Sequence, residues 1–407
     1  LALAYERLAP VLGEEKTAWC RELIEQQVPV VVEHNRGFLP GERDLHLTFA
    51  NNHTAIFMQG VWHSGRVLGR SDWQELAGEF AERFYASGHP DGYFEENTNG
   101  AREGGPSLVY TPLTAGCLFD VLGGRARADQ EKFLRAGSFF RSLLNSDFHR
   151  IPLADERTNG AGRAGSYGLA LHSLSAAGRG FVVSQMEALD FGRQTPEGLA
   201  VLHHELDLMS EGDCAPSENL LDGSFRLTLP LGVLRRGGFT AGVSALRALN
   251  REIRPDSDYA LDRQTLAYLS HSGPGVILSG VKSKRDPGFS TFRVGEDAYP
   301  VRSGELRISE DGAWAEATVH YAGFDGLIRW DLGETARLTL RVDGGSEVRT
   351  ALPIGGDPRV RTDAAYRIEE RPGFSPYTQG NRADPVRLLV ADWRGELVLE
   401  FDAAAAR

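Results

Sequence analysis

The sequence predicts an α+β multidomain chain, with an N-terminal (α/α) toroid of helical hairpins followed by a C-terminal antiparallel β-sandwich. Three observations lead there. Through the first half, apolar residues recur at helical spacing in segments separated by Gly- and Pro-containing turns. In the last third the period drops to two, as in half-buried strands. Helices come first and strands after, which points to layers or domains in series and not to a βαβ sheet. At 407 residues the chain is longer than one hydrophobic core usually serves, so two domains are expected. Residues 1–250 form the expected toroid and 251–407 the sandwich, with the period ambiguous between 196 and 254.

Taken in order, "EEKTAWCRELIEQQVPVVVEHN" reads as a helix that Pro29 should break or kink. In "SDWQELAGEFAERFYASG", Ser71 can cap, Gln74 holds the capping-box position, and Trp73, Leu76, Ala77, Phe80, Ala81 and Phe84 make one apolar face. Gly88 and Pro90 stop it. "YTPLTAGCLFDVLGG" and "ADQEKFLRAGSFFRSLLN" supply further helices. No tight internal repeat is present, yet serial helix pairs are what an array or toroid of hairpins requires. Later, "ARLTLRV" alternates Leu338, Leu340 and Val342 with polar residues, and "ELVLEF" alternates Leu397, Leu399 and Phe401. "VDGGSEV" and "DWRGEL" read as hairpin connections.

Composition narrows the partners. With 44 Lys+Arg against 56 Asp+Glu the net charge is −12, which argues against nucleic acid or an anionic membrane as partner. No apolar run is long enough to span a bilayer. Cys20, Cys117 and Cys214 are odd in number and widely spaced, so neither a disulfide framework nor a CxxC metal site is implied. Position 1 is Leu, not Met, so a processed or truncated start is expected, with any export signal outside the chain.

Two segments gather polar side chains in apolar surroundings. "FANNHTAIFMQGVWHSG" sets Asn51, Asn52 and His53 at the head of a helix, where free N–H groups and the positive dipole end favour an anion. Capping by Asn is the plainer reading of either asparagine. About fifty residues later, "DGYFEENTNGAREGGPSLVYTPLTAG" holds Arg102 eight residues ahead of Tyr110, which opens the next helix. A cation near a phenol favours the phenolate.

Asn-Asn-His at a helix start, then Asp-Gly-aromatic, Arg, and Tyr leading into a Pro-Leu-containing helix resembles the catalytic region of the alginate-lyase type of polysaccharide lyases. Related heparinase II/III-like lyases place a β-sandwich after a helical toroid, and "SHSGPGVILSGVKSKRDPGFSTF" is similar to the first strands of that sandwich. The motif match covers about residues 45–120, and Gly104, Gly105 and Pro106 depart from the family's pattern. The resemblance implies cleavage of a uronic-acid polymer by β-elimination; no redox or nucleotide cofactor is expected, and no residue is assigned to a metal. Asn52 and Arg102 would neutralise the substrate carboxylate. His53 or Tyr110 would take the α-proton, and Tyr110 would protonate the leaving oxygen. The expected partner is an anionic polysaccharide or oligosaccharide, and the expected location is secreted or periplasmic.

Further residues could line the same site. Trp62 offers a stacking ring and His63 a polar tip, although Trp62 also suits a core. "SDFHRIP" sets His149 and Arg150 after a helix, within reach of a cleft. "LHHELDLMSEGD" invites a metal, but HExxH spacing is absent and the adjacent His203 and His204 point about 100° apart on a helix. Glu95 and Glu96 raise the rival of a glycoside hydrolase, whose two carboxylates normally come from separate segments. A non-catalytic glycan-binding protein is the other alternative. "NGAGRAGSYG" lacks nucleotide-loop spacing, and "KSKRDPG" is a basic turn that could touch an anionic glycan.

Overall fold

The computed structural model describes residues 2–36, 52–96, 105–108, 110–123, 130–154, 168–190, 192, 195–247, 265–279, 290–295, 301–371 and 386–403. Two compact units result, one of residues 1–140 and 165–216, the other of residues 141–164 and 217–407.

The first unit is helical. Among the described residues its helices are α1 (Ala2–Leu8), α2 (Glu14–His34), α3 (Asn52–Leu68), α4 (Ser71–Ala86), α5 (Tyr110–Leu122), α6 (Glu131–Ser142), α7 (Leu169–His172), α8 (Ala176–Glu187) and α9 (Pro196–Asp207), with α6 ending in the second unit. Helix α2 runs through Pro29 to His34 without the expected break. Gly69, at φ +69°, reverses the chain between α3 and α4, and the Arg70 N–H closes back on the Gly65 carbonyl at 2.8 Å. The α4 start differs from the expected cap: Ser71 is the first helical residue, and the N-cap is Arg70 with no side-chain cap bond. Arg70 instead pairs with Asp72 at 2.6 Å and lies over the Trp73 ring at 4.4 Å. The predicted face of α4 is buried at Trp73, Ala77, Phe80, Ala81 and Phe84, packing with Met58 and Val61 of α3 and Leu118 and Phe119 of α5. A two-residue ladder, β1 (Glu95–Glu96) with β2 (Gly105–Pro106), precedes α5.

Among the described residues the second unit holds two antiparallel sheets over one core. Its strands are β3 (Gly223–Arg226), β4 (Leu231–Arg236), β5 (Phe239–Ser244), β6 (Ala267–His271), β7 (Gly275–Leu278), β8 (Ser290–Val294), β9 (Ser303–Ile308), β10 (Trp314–His320), β11 (Asp325–Leu332), β12 (Thr335–Val342), β13 (Glu347–Ile354), β14 (Val360–Arg361), β15 (Tyr366–Arg371), β16 (Val386–Arg394) and β17 (Glu396–Asp402). One sheet runs β14-β17-β12-β11-β10-β9, the other β15-β16-β13-β7-β6-β5-β4-β3 with β8 beside β13. Strands β3 to β5 thus stand within the stretch whose period is ambiguous in the sequence. The alternating segments pair with each other, Leu338 opposite Leu399 and Leu340 opposite Leu397. Trp330 of one sheet donates its indole N–H to the Gly242 carbonyl of the other at 3.1 Å.

The two expected hairpins are sheet crossings. "VDGGSEV" leads from β12 in one sheet to β13 in the other, and "DWRGEL" from β16 to β17 likewise crosses. Both edges of β12 are already occupied, by β11 and β17, so the strand that follows it pairs elsewhere.

Candidate active site

Helix α3 opens on Asn52 and α5 on Tyr110, and their mutual direction follows from the side chains between them. Cys117 donates to Gln59 Oε1 at 3.3 Å, and His63 meets Asp120 at 2.6 Å. Position on α5 rises with position on α3, so the helices run parallel. Seven residues back from Gln59 and Cys117, about 10 Å along each axis, stand Asn52 and Tyr110. Both N-termini therefore lie at one end of the pair, where two positive dipole ends favour an anion.

The side chains at that end differ in exposure. Asn52 is buried, and its Oδ1 has no hydrogen-bond partner among the described residues. Such an orphan costs about 1–3 kcal/mol in a folded protein. His53 is exposed and Tyr110 half-buried. Ser107 fixes the start of α5, its hydroxyl accepting from the Tyr110 N–H at 3.3 Å and its carbonyl from the Thr111 N–H at 3.0 Å. Asn51 and Arg102 lie outside the described residues.

Trp62 is half-buried against the helical core. His149 and Arg150 belong to the second unit, in a tight loop where the Asn145 side chain accepts from the His149 N–H at 2.8 Å and Arg150 bridges to Leu144. His63 is buried ten residues beyond His53, about 15 Å along the helix.

There His63 joins a cluster. Its Nε2 and that of His204 approach Asp120 Oδ2 at 2.6 and 2.9 Å, and Gln59 donates to the same oxygen at 2.6 Å. Burial alone would raise the Asp120 carboxyl, but the bonds from His204 and His63 outweigh it and hold the group well below the usual carboxylate range. The bond to Asp120 correspondingly raises His204 against its burial. Burial pushes the Cys117 thiol up, so it stays protonated. Adjacent His203 points away, towards Arg7 and Asp207. Neither Asp120 nor Gln59 stands out in a motif search. The signal was Asp120 as the sole acid in the apolar helix "YTPLTAGCLFDVL".

No protein-family model matches the sequence, and no curated protein does. Solved structures do. A heparinase III aligns with TM-score 0.54 at 12% identity, over 87% of this chain and 61% of that one. A heparan sulfate lyase, HepC from Pedobacter heparinus, aligns with TM-score 0.51 at 11% identity, over 93% of this chain and 62% of that one. The chain has a heparinase-like fold, and it spans about three fifths of the length of the structures it matches.

Proposed function

We propose that this chain is a polysaccharide lyase that cuts a uronate-containing polymer by β-elimination. The observation that carries the proposal is the parallel run of α3 and α5, neighbouring helices that open on Asn52 and Tyr110, with Asn52 Oδ1 unpaired among the described residues. The heparinase-like fold supports the class of reaction, and the helical unit is read as an (α/α) toroid.

The chemistry needs three services. The proton beside the carboxylate is weakly acidic, because the carboxylate already bears charge. Asn52, with Arg102, hydrogen-bonds that carboxylate and stabilises the enolate-like transition state. A base, His53 or Tyr110, removes the proton as the carbon–oxygen bond to the leaving sugar breaks. Tyr110 protonates the departing oxygen, leaving a carbon–carbon double bond. Syn geometry lets Tyr110 perform both transfers, whereas anti geometry assigns the base to His53. The substrate is an anionic polysaccharide, met outside the cytoplasm.

The test is ultraviolet absorbance over time with alginate, glucuronan, hyaluronan and heparan sulfate. Wild-type protein is expected to generate the unsaturated product on one of them, and Tyr110→Phe to lose about 10²-fold or more of that rate. New reducing ends without the absorbance would replace elimination by hydrolysis. Binding without cleavage would reduce the protein to a glycan-binding role.

A further inference from the structure

The cluster of His63, Asp120 and His204 is separate from the Asn52 end and asks for its own explanation. Three helices far apart in sequence, α3, α5 and α9, deliver one side chain each, and those side chains are 5%, 5% and 13% exposed. The two imidazoles stand edge to face with centroids 5.1 Å apart. Asp120 Oδ2 faces three nitrogens, from Gln59, His63 and His204, all within 2.9 Å. A carboxylate oxygen offers two lone-pair directions, so three donors exceed what it can accept well. If either imidazole instead presented its own lone pair, two electron-rich atoms would be in contact. A cation among the three atoms removes the conflict, because both Nε2 atoms and Oδ2 then donate electron pairs to it.

We propose that His63 Nε2, Asp120 Oδ2 and His204 Nε2 form a binding site for a divalent transition metal of the zinc kind. Two imidazole nitrogens and a carboxylate oxygen suit zinc, whereas magnesium and calcium prefer oxygen alone. The ligand atoms lie within 4.8 Å of one another. Bonds of about 2.0–2.1 Å in a tetrahedron would set them roughly 3.3 Å apart, a small opening of the present contacts. Gln59, held by Cys117, orients the carboxylate. Glu205 anchors α9 beside the site by accepting from the Gly168 and Ala170 N–H groups at 2.9 and 2.8 Å.

One adjustment follows. With the ion on Nε2, the ring proton of His63 resides on Nδ1, which Arg66 approaches at 3.4 Å. Arg66 is 43% exposed and paired with Glu6, so it can turn away. The site is a structural clamp on three helices, independent of the roles given to Asn52 and Tyr110.

The experiment uses the full chain, stripped with a chelator, dialysed and titrated with Zn²⁺, with bound metal measured by elemental analysis and Tm by scanning calorimetry. About one zinc per chain and a raised Tm are expected, since a ligand bound by the folded state stabilises it. His204→Gln and Asp120→Asn should each weaken binding at least about tenfold, while His203→Gln binds as wild type. Absence of saturable zinc binding, or binding that survives both His204→Gln and Asp120→Asn, would overturn the site. Should either variant fail to fold, Co²⁺ in wild-type protein decides. Intense tetrahedral visible bands support the site, and only weak octahedral bands refute it.

Discussion

In the proposed lyase, Asn52 is where function and stability pull apart. Its amide oxygen is buried without a hydrogen-bond partner among the described residues, so truncating the side chain removes an acceptor that no described group satisfies. In the proposed reaction the Asn52 amide N–H donates to the substrate carboxylate. Asn52→Ala is therefore expected to leave Tm unchanged or slightly raised while lowering turnover by about 10² to 10³. Paired melting curves and absorbance rates check this. A large fall in Tm would show the amide to be structural. Asn52, His53 and Tyr110 were legible in the sequence because each opens an apolar run, and helix starts are visible as a change of composition. Asp120 was not, since its partners come from positions 57 and 84 residues away.

At the level of elements, close approach decides the geometry. A Cβ on Gly65 would stand 2.8 Å from the Arg70 carbonyl and 3.1 Å from the Gln74 nitrogen, both backbone atoms at the α3–α4 reversal. Gly65→Ala should cost about 1–3 kcal/mol through overpacking, read as a shift in denaturant midpoint at unchanged slope. In the sandwich, Trp330 is fully buried and its indole satisfies the Gly242 carbonyl across the two sheets. Trp330→Ala should cost about 3–5 kcal/mol, and Trp330→Phe less, the difference reporting the bridging hydrogen bond. The strands carrying Leu338, Leu340, Leu397 and Leu399 were legible from their alternation. The crossings after β12 and β16 were not, because a Gly-containing turn looks alike whether it closes a hairpin or changes sheet.

For the whole molecule, the three thiols report folding directly. Cys214 is exposed, Cys20 half-buried and Cys117 buried in α5. Labelling with an aromatic disulfide should modify Cys214 first and Cys117 only on unfolding, as its burial also keeps it protonated. Equal rates at Cys117 and Cys214 would mean that α5 does not pack as described. The sequence by itself determined the α+β class, the order of helices before strands and the polar groups at the two helix starts. These depend on periodicity and composition within a dozen or so neighbouring residues. Only the tertiary structure decided which sheet each strand joins, that α3 and α5 run parallel with Asn52 and Tyr110 at one end, and that Asp120 gathers His63 and His204. Those facts arise from contacts between segments that the local pattern leaves free to pair in several ways, and packing selects among them.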